Sequence, residues 1–187
     1  MSLPMKKKIT IAAFSVLLIL CAAVSAADDA AREPVEVRLL PNKEYVSVLL
    51  ETIERAESDI VIAVYLFKTN GYRSNYPDRI VAALGDAVQR GVEVRVLLEK
   101  TGDADSFIDR ANAETAERLQ KVGVDVVFDP PSRRTHVKMV VADREITFVG
   151  SHNFTNSGLK YNNETSIMVV SPDTALKALD YIDGIGR

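Results

Sequence analysis

"RRTHVKMVVADREITFVGSHNFT", residues 133–155, decides how this chain is read. It holds two short apolar runs with the turn "ADRE" between them, which predicts two strands of one hairpin. Side chains alternate along a strand, so His136 and Lys138 share a face while Val137, Met139 and Val141 point into the core. Asp143 falls in the turn, where a carboxylate accepts backbone N–H groups. Gly150 permits a tight exit from the return strand, and Ser151 and Asn153 follow as short hydrogen-bonding groups. "TNSG" (155–158) then resembles a helix start, whose free N–H groups suit an anion.

Outward from the hairpin, strand and helix patterns alternate. "VEVRLL" (35–40) alternates like a strand, and residues 44–59 carry apolar positions at helical spacing. "IVIAVYLF" (60–67) is a continuous apolar run, as for a strand covered on both faces. A helix over 77–91 starts near Pro77 and stops at Gly91. Strand 92–99, helix 109–123 and strand 124–129 precede the hairpin; strand 165–170 and helix 174–182 follow it. The alternation predicts an α/β fold: a central mixed, mostly parallel sheet flanked by helices on both faces, with one chemical motif per chain.

The first residues stand apart. "MKKKITIAAFSVLLILCAAVSAA" has a basic start, an apolar run and a small-residue ending, which predicts a signal peptide over residues 1–26 cleaved after Ala26. The rival is an uncleaved anchor over residues 9–27. Residues 27–34 read as a flexible lead-in, and 35–187 as the catalytic domain. The expected location is periplasmic or secreted. The chain has 23 basic and 26 acidic residues; cleavage removes three lysines and no acid, leaving a net charge of −6. It also removes Cys21, the one cysteine, and with it disulfide and thiolate chemistry. A protein this acidic meets a polyanion through a local basic patch, not through its whole field.

An imidazole, an ammonium, an amide and a hydroxyl, with no second carboxylate and no metal cluster, suit a phosphodiester. Lys138 and Asn153 would stabilise the non-bridging oxygens as charge builds on them. His136 would attack phosphorus as a covalent nucleophile. Glu164, eleven residues past Asn153, could hold the imidazole's other nitrogen.

"HVKMVVAD" (136–143) followed by "GSHN" (150–153) resembles the His-x-Lys-x4-Asp signature and Gly-Ser-x-Asn tail of the phospholipase D superfamily. "SDIVIAVYLF", "ALGDAVQRGVEVRVLLE" and "GVDVVFD" are similar to that family's body, so the resemblance covers most of residues 35–172. It implies a phospholipase D-like fold, with His136 forming a phosphohistidine and Lys138 and Asn153 binding phosphate with the support of Ser151. By the same resemblance Glu164 orients the histidine, Asp143 and Gly150 are structural, and no metal or cofactor is required. The family uses two such motifs per site, one histidine attacking and the other protonating the leaving oxygen. With one motif, this chain most resembles the small bacterial endonucleases that form the site at the twofold axis of a homodimer.

The expected activity is a metal-independent, non-specific nuclease acting on DNA or RNA. Arg133 and Arg134 would steer the polyanion, and Tyr72, Arg73 and Tyr76 would contact unpaired bases. The rivals are a phospholipase D releasing lipid head groups and a non-catalytic nucleic-acid-binding protein. His152, on the opposite parity from Ser151 and Asn153, is read as a packing or surface residue.

Overall fold

The computed structural model describes residues 35–103 and 105–185. The expected signal peptide and lead-in, residues 1–34, lie outside the described residues. Strand β1 (Glu36–Pro41) and helix α1 (Lys43–Arg55) are followed by β2 (Asp59–Val64), α2 (Tyr76–Gln89), β3 (Glu93–Leu98), α3 (Phe107–Lys121) and β4 (Asp125–Phe128). The hairpin β5 (Lys138–Ala142) and β6 (Ile146–Gly150) comes next, then α4 (Asn156–Lys160), β7 (Thr165–Val170) and α5 (Pro172–Ile185).

Local chemistry sets most of these bounds. α2 carries Pro77 in its first turn, where the missing N–H is no loss. Its end is marked by Gly91 at φ 94°, a left-handed geometry that a residue with Cβ resists. The Ser106 hydroxyl caps α3 by accepting from the Asp109 N–H at 3.3 Å. Asp143 and Arg144 both take positive φ, 53° and 54°, the tight hairpin turn whose twist matches its flanking strands.

The seven strands among the described residues join one sheet in the order β1-β7-β6-β5-β2-β3-β4. The expectation of a mostly parallel sheet is corrected here. Parallel pairing is confined to β2·β3 and β3·β4, whereas β1·β7, β6·β7, β5·β6 and β2·β5 are antiparallel. The reason lies in the connections. A parallel neighbour needs a crossover helix, which α2 and α3 supply for β2, β3 and β4. The chain then turns back through residues 129–137 into a hairpin, and α4, at five residues, is too short to carry a crossover.

Both faces of the sheet are covered, unequally. Ile60, Ile62, Val64, Val96, Leu98, Val140 and Phe148 face the larger core, under α1, α2 and α3. Val61, Ala63, Leu97 and Val141 face a smaller one beneath Ala175, Ala178 and Ile182 of α5. β2 is therefore buried along its whole length. Each large aliphatic side chain taken out of water contributes about 1.5–3 kcal/mol, so the central strands are the most firmly held part of the sheet.

Candidate active site

One end of the sheet collects the chemistry. Val64, the last residue of β2, pairs with Lys138, the first of β5, and Gly150 at the end of β6 pairs with Ser166 near the start of β7. Residues just past β2 and β6, and just before β5 and β7, therefore converge. His136, Lys138, Ser151, Asn153 and Glu164 all belong to that end.

His136 precedes β5 and is exposed, whereas Lys138 is 6% exposed. Lys138 shares its face with Val140 and Ala142 and so closes the larger core, while Val137 and Met139 pack on the smaller one under α5. The hairpin thus has core on both sides, and the polar pair occupies the open end of one of them. Lys138 Nζ donates to the His136 carbonyl oxygen at 3.0 Å. Burial pushes the Lys138 ammonium down to about 8, with Glu164 acting in the opposite direction. Burial also lowers His136, assisted by the positive charges of Lys138 and Arg134, which favours a neutral, nucleophilic imidazole.

Tyr65 was not singled out by sequence, where it is one letter in an apolar run. Its ring lies 4.6 Å from the His136 ring, tilted by 58°, and 4.9 Å beneath Lys138 Nζ. The Tyr65 N–H donates to the Val137 carbonyl at 2.9 Å, extending the β2·β5 ladder to the site. Only that pairing identifies Tyr65 as a neighbour of the motif.

Ser151 and Glu164 are joined directly. The Ser151 hydroxyl donates to Glu164 Oε2 and accepts from the Thr165 N–H at 3.1 Å. Asn162 Nδ2 donates to Glu164 Oε1 at 3.1 Å. Both carboxylate oxygens are occupied, and among the described residues no hydrogen bond links Glu164 to His136 of its own chain. Asn153 is half-buried, and its Oδ1 has no partner among the described residues. Its segment is pinned to the end of β2 by the bond from Phe154 N–H to the Leu66 carbonyl, 2.9 Å.

Gly150 serves close approach: a Cβ there would lie 2.4 Å from Ser166 Cα, a contact no real side chain makes. Asp143 lies at the opposite end of β5. Its carboxylate accepts from the N–H groups of Ser58 (2.7 Å) and Glu57 (3.1 Å) and from the Ser58 hydroxyl (2.9 Å), tying the hairpin turn to the start of β2. His152 is fully buried. It stacks on Tyr45 at 4.3 Å, with Nδ1 against Ser166 Oγ (2.7 Å) and Nε2 against the Asn42 carbonyl (3.1 Å). The N–H of Gly158, near the start of α4, is taken by Thr155 Oγ1 at 2.9 Å.

Arg133, Arg134 and His136 line one cleft with Asp129 and Tyr181. Tyr72 and Arg73 are exposed on a loop that the Asp78 carboxylate holds through Asn70 and Gly71 N–H. Among the described residues no hydrogen bond or ring contact joins them to His136. No group of three or more His, Cys, Asp or Glu side chains among the described residues is placed to hold a metal ion.

Residues 49–185 match a known family, described as "Cardiolipin synthase, PLD-like domain". The chain belongs to the phospholipase D superfamily. It is 28% identical over 138 residues to a phospholipase D of Rickettsia prowazekii, covering 74% of this chain and 60% of that protein. It thus spans about three-fifths of that relative's length. In structure it is similar to Nuc of Salmonella typhimurium, a phospholipase D family member, with a TM-score of 0.68, 22% identity and coverage of 82% of this chain and 97% of that one. It is also similar to NucT of Helicobacter pylori, with a TM-score of 0.65, 19% identity and coverage of 81% and 96%. Those two likenesses show the phospholipase D fold in chains of nearly the same extent.

Proposed function

We propose that this protein is a phosphodiesterase of the phospholipase D superfamily that works through a phosphohistidine, cuts nucleic acid with little sequence preference and acts as a homodimer. One observation carries the reading. The chain has two histidines; His136 is exposed beside a buried cation, whereas His152 is buried with both ring nitrogens bonded. An acid to protonate the leaving oxygen must then come from elsewhere, and His136 of a second copy supplies it across a twofold axis.

In the first step the neutral imidazole of one His136 bonds to phosphorus. The bond from phosphorus to the leaving oxygen breaks, and that oxygen takes its proton from the second copy's imidazolium. In the second step that imidazole accepts a proton from water, the water oxygen bonds to phosphorus, and the P–N bond breaks. Lys138 and Asn153 stabilise the non-bridging oxygens in both steps. The residues supply nucleophile, acid and counter-charge themselves, so the scheme needs no metal. Glu164, unbonded to its own His136, orients the imidazole of the opposite copy.

Arg133 and Arg134 beside His136 support a polyanionic substrate. The test is a panel of single- and double-stranded DNA and RNA in chelator, alongside the molecular mass in solution. Cleavage by a dimer, abolished by His136→Asn, is expected; uncut nucleic acid, or full activity in a strict monomer, sinks the proposal. A His136→Asn variant as active as wild type would remove that residue from the mechanism.

The similarity to a phospholipase D favours a second reading, hydrolysis of phospholipid head groups by the same residues. Head-group release from vesicles, set against nucleic-acid cleavage at equal enzyme, separates the two. The signal segment supports export, and N-terminal sequencing of the protein recovered outside the cytoplasm, expected to begin near Ala27, tests it.

A further inference from the structure

Glu99 and Asp129 directly follow β3 and β4, and the register that sets Leu98 beside Phe128 brings the two carboxyl groups together. They are 1% and 2% exposed. Glu99 Oε2 accepts from the N–H of Thr135, the residue before His136, at 2.5 Å. Asp129 Oδ1 accepts from the Lys100 N–H at 2.5 Å. Asp129 Oδ2 is buried with no hydrogen-bond partner among the described residues, and the Asp129 carboxyl neighbours that of Glu99 closely enough to push it up.

Two ionised carboxylates this close and this buried repel strongly. A single proton between them turns the repulsion into an O–H···O bond and gives Asp129 Oδ2 the partner it lacks. Burial pushes the Glu99 carboxyl up and the Asp129 carboxyl adds to this; the Thr135 N–H and the Arg134 guanidinium act in the opposite direction. Around the pair, Arg134 and His136 belong to the same segment as Thr135, Asp180 and Tyr181 of α5 line the cleft with Asp129, and α3 contributes the neutral Asn112, bonded to the Glu99 carbonyl at 2.9 Å.

We propose that Glu99 and Asp129 form a proton-sharing carboxyl pair that positions His136 by holding Thr135. The proposal rests on reading His136 as the nucleophile. The pair touches no substrate; it fixes the backbone on which the imidazole is carried. A glutamine at 99 or an asparagine at 129 supplies an N–H where the shared proton sits and keeps the same acceptors, whereas leucine does neither.

The first test is an infrared difference spectrum of wild type against Glu99→Gln at neutral pH. A protonated-carboxyl C=O band lost in the variant is expected, and no such band overturns the pair. The second is steady-state cleavage of nucleic acid. Glu99→Leu is expected to lower kcat on the order of a hundredfold with KM within about twofold, while Glu99→Gln and Asp129→Asn stay within about threefold of wild type. Equal losses in the glutamine and leucine variants overturn the proposal, because the charges rather than the geometry would then matter.

If Glu99→Leu does not fold, the His136 ring resonance, identified by its loss in His136→Asn, decides. It is expected unchanged in Glu99→Gln and Asp129→Asn, and displacement in both overturns the proposal. A wild type that cuts no nucleic acid sinks the proposed function, and the infrared band and the resonance still decide the pair.

Discussion

Lys138 Nζ donates to the carbonyl oxygen of His136, so the cation proposed to face the phosphate also fastens the main chain of the proposed nucleophile. Its ammonium, pushed down to about 8 by burial, is charged below that pH and neutral above it. Loss of the second copy's imidazolium should lower kcat/KM above the His136 value, and a further decline should follow as pH rises through about 8. Lys138→Met should be slower on the order of a hundredfold and lack that further decline. A variant profile that keeps the further decline would assign it to another group.

On the acid side the active imidazole must be unprotonated. Burial, Lys138 and Arg134 hold His136 below the ordinary value of 6.5, so the acid limb should lie below 6.5. Arg134→Ala removes one of the two cations. It should move the limb upward and raise KM for nucleic acid, both read from pH profiles at several substrate concentrations.

The Tyr65 ring touches both members of the motif, and its face rather than its hydroxyl makes the contact with Lys138. Tyr65→Phe should stay within about threefold of wild-type kcat, and Tyr65→Ala should lose about tenfold as imidazole and ammonium gain freedom. Equal loss in both variants would point to the hydroxyl instead.

Asp143 acts at a distance from the chemistry. Asp143→Ala removes the acceptor for Glu57, Ser58 and Asp59 N–H and should destabilise the fold by about 2–3 kcal/mol in urea unfolding, with kcat of the folded protein little changed. The N–H groups of Ser58, Glu57 and Asp59 outweigh burial and hold the carboxyl below its ordinary 3.8. A depressed carboxylate stabilises fully above its unfolded value and loses that contribution as pH falls through the folded one. Asp143→Asn should flatten stability against pH in that acid range.

The spacing of His136, Lys138, Ser151 and Asn153 around one hairpin was legible because strand alternation and hairpin chemistry are local. The helices were legible from their apolar periodicity and stops, as Gly91 illustrates. Strand direction in the second half was not, because a run such as "TSIMVV" looks the same whichever neighbour it pairs with. Tyr65 and the Glu99–Asp129 pair were hidden for a related reason. Each is an ordinary residue at the end of a strand, and it acquires meaning only from the strand that arrives beside it.

By itself the sequence determined the motif, since an imidazole and an ammonium two positions apart are kept near each other by the backbone alone. Spacing had already set His136 in the motif and His152 outside it; only the tertiary structure showed how His152 is held. Burial, the stacking ring of Tyr45 and two hydrogen bonds spend His152 on the core, while the open end of the sheet leaves His136 facing solvent. Those contacts with Tyr45, Ser166 and Asn42 join residues far apart in the chain, and no local pattern encodes them.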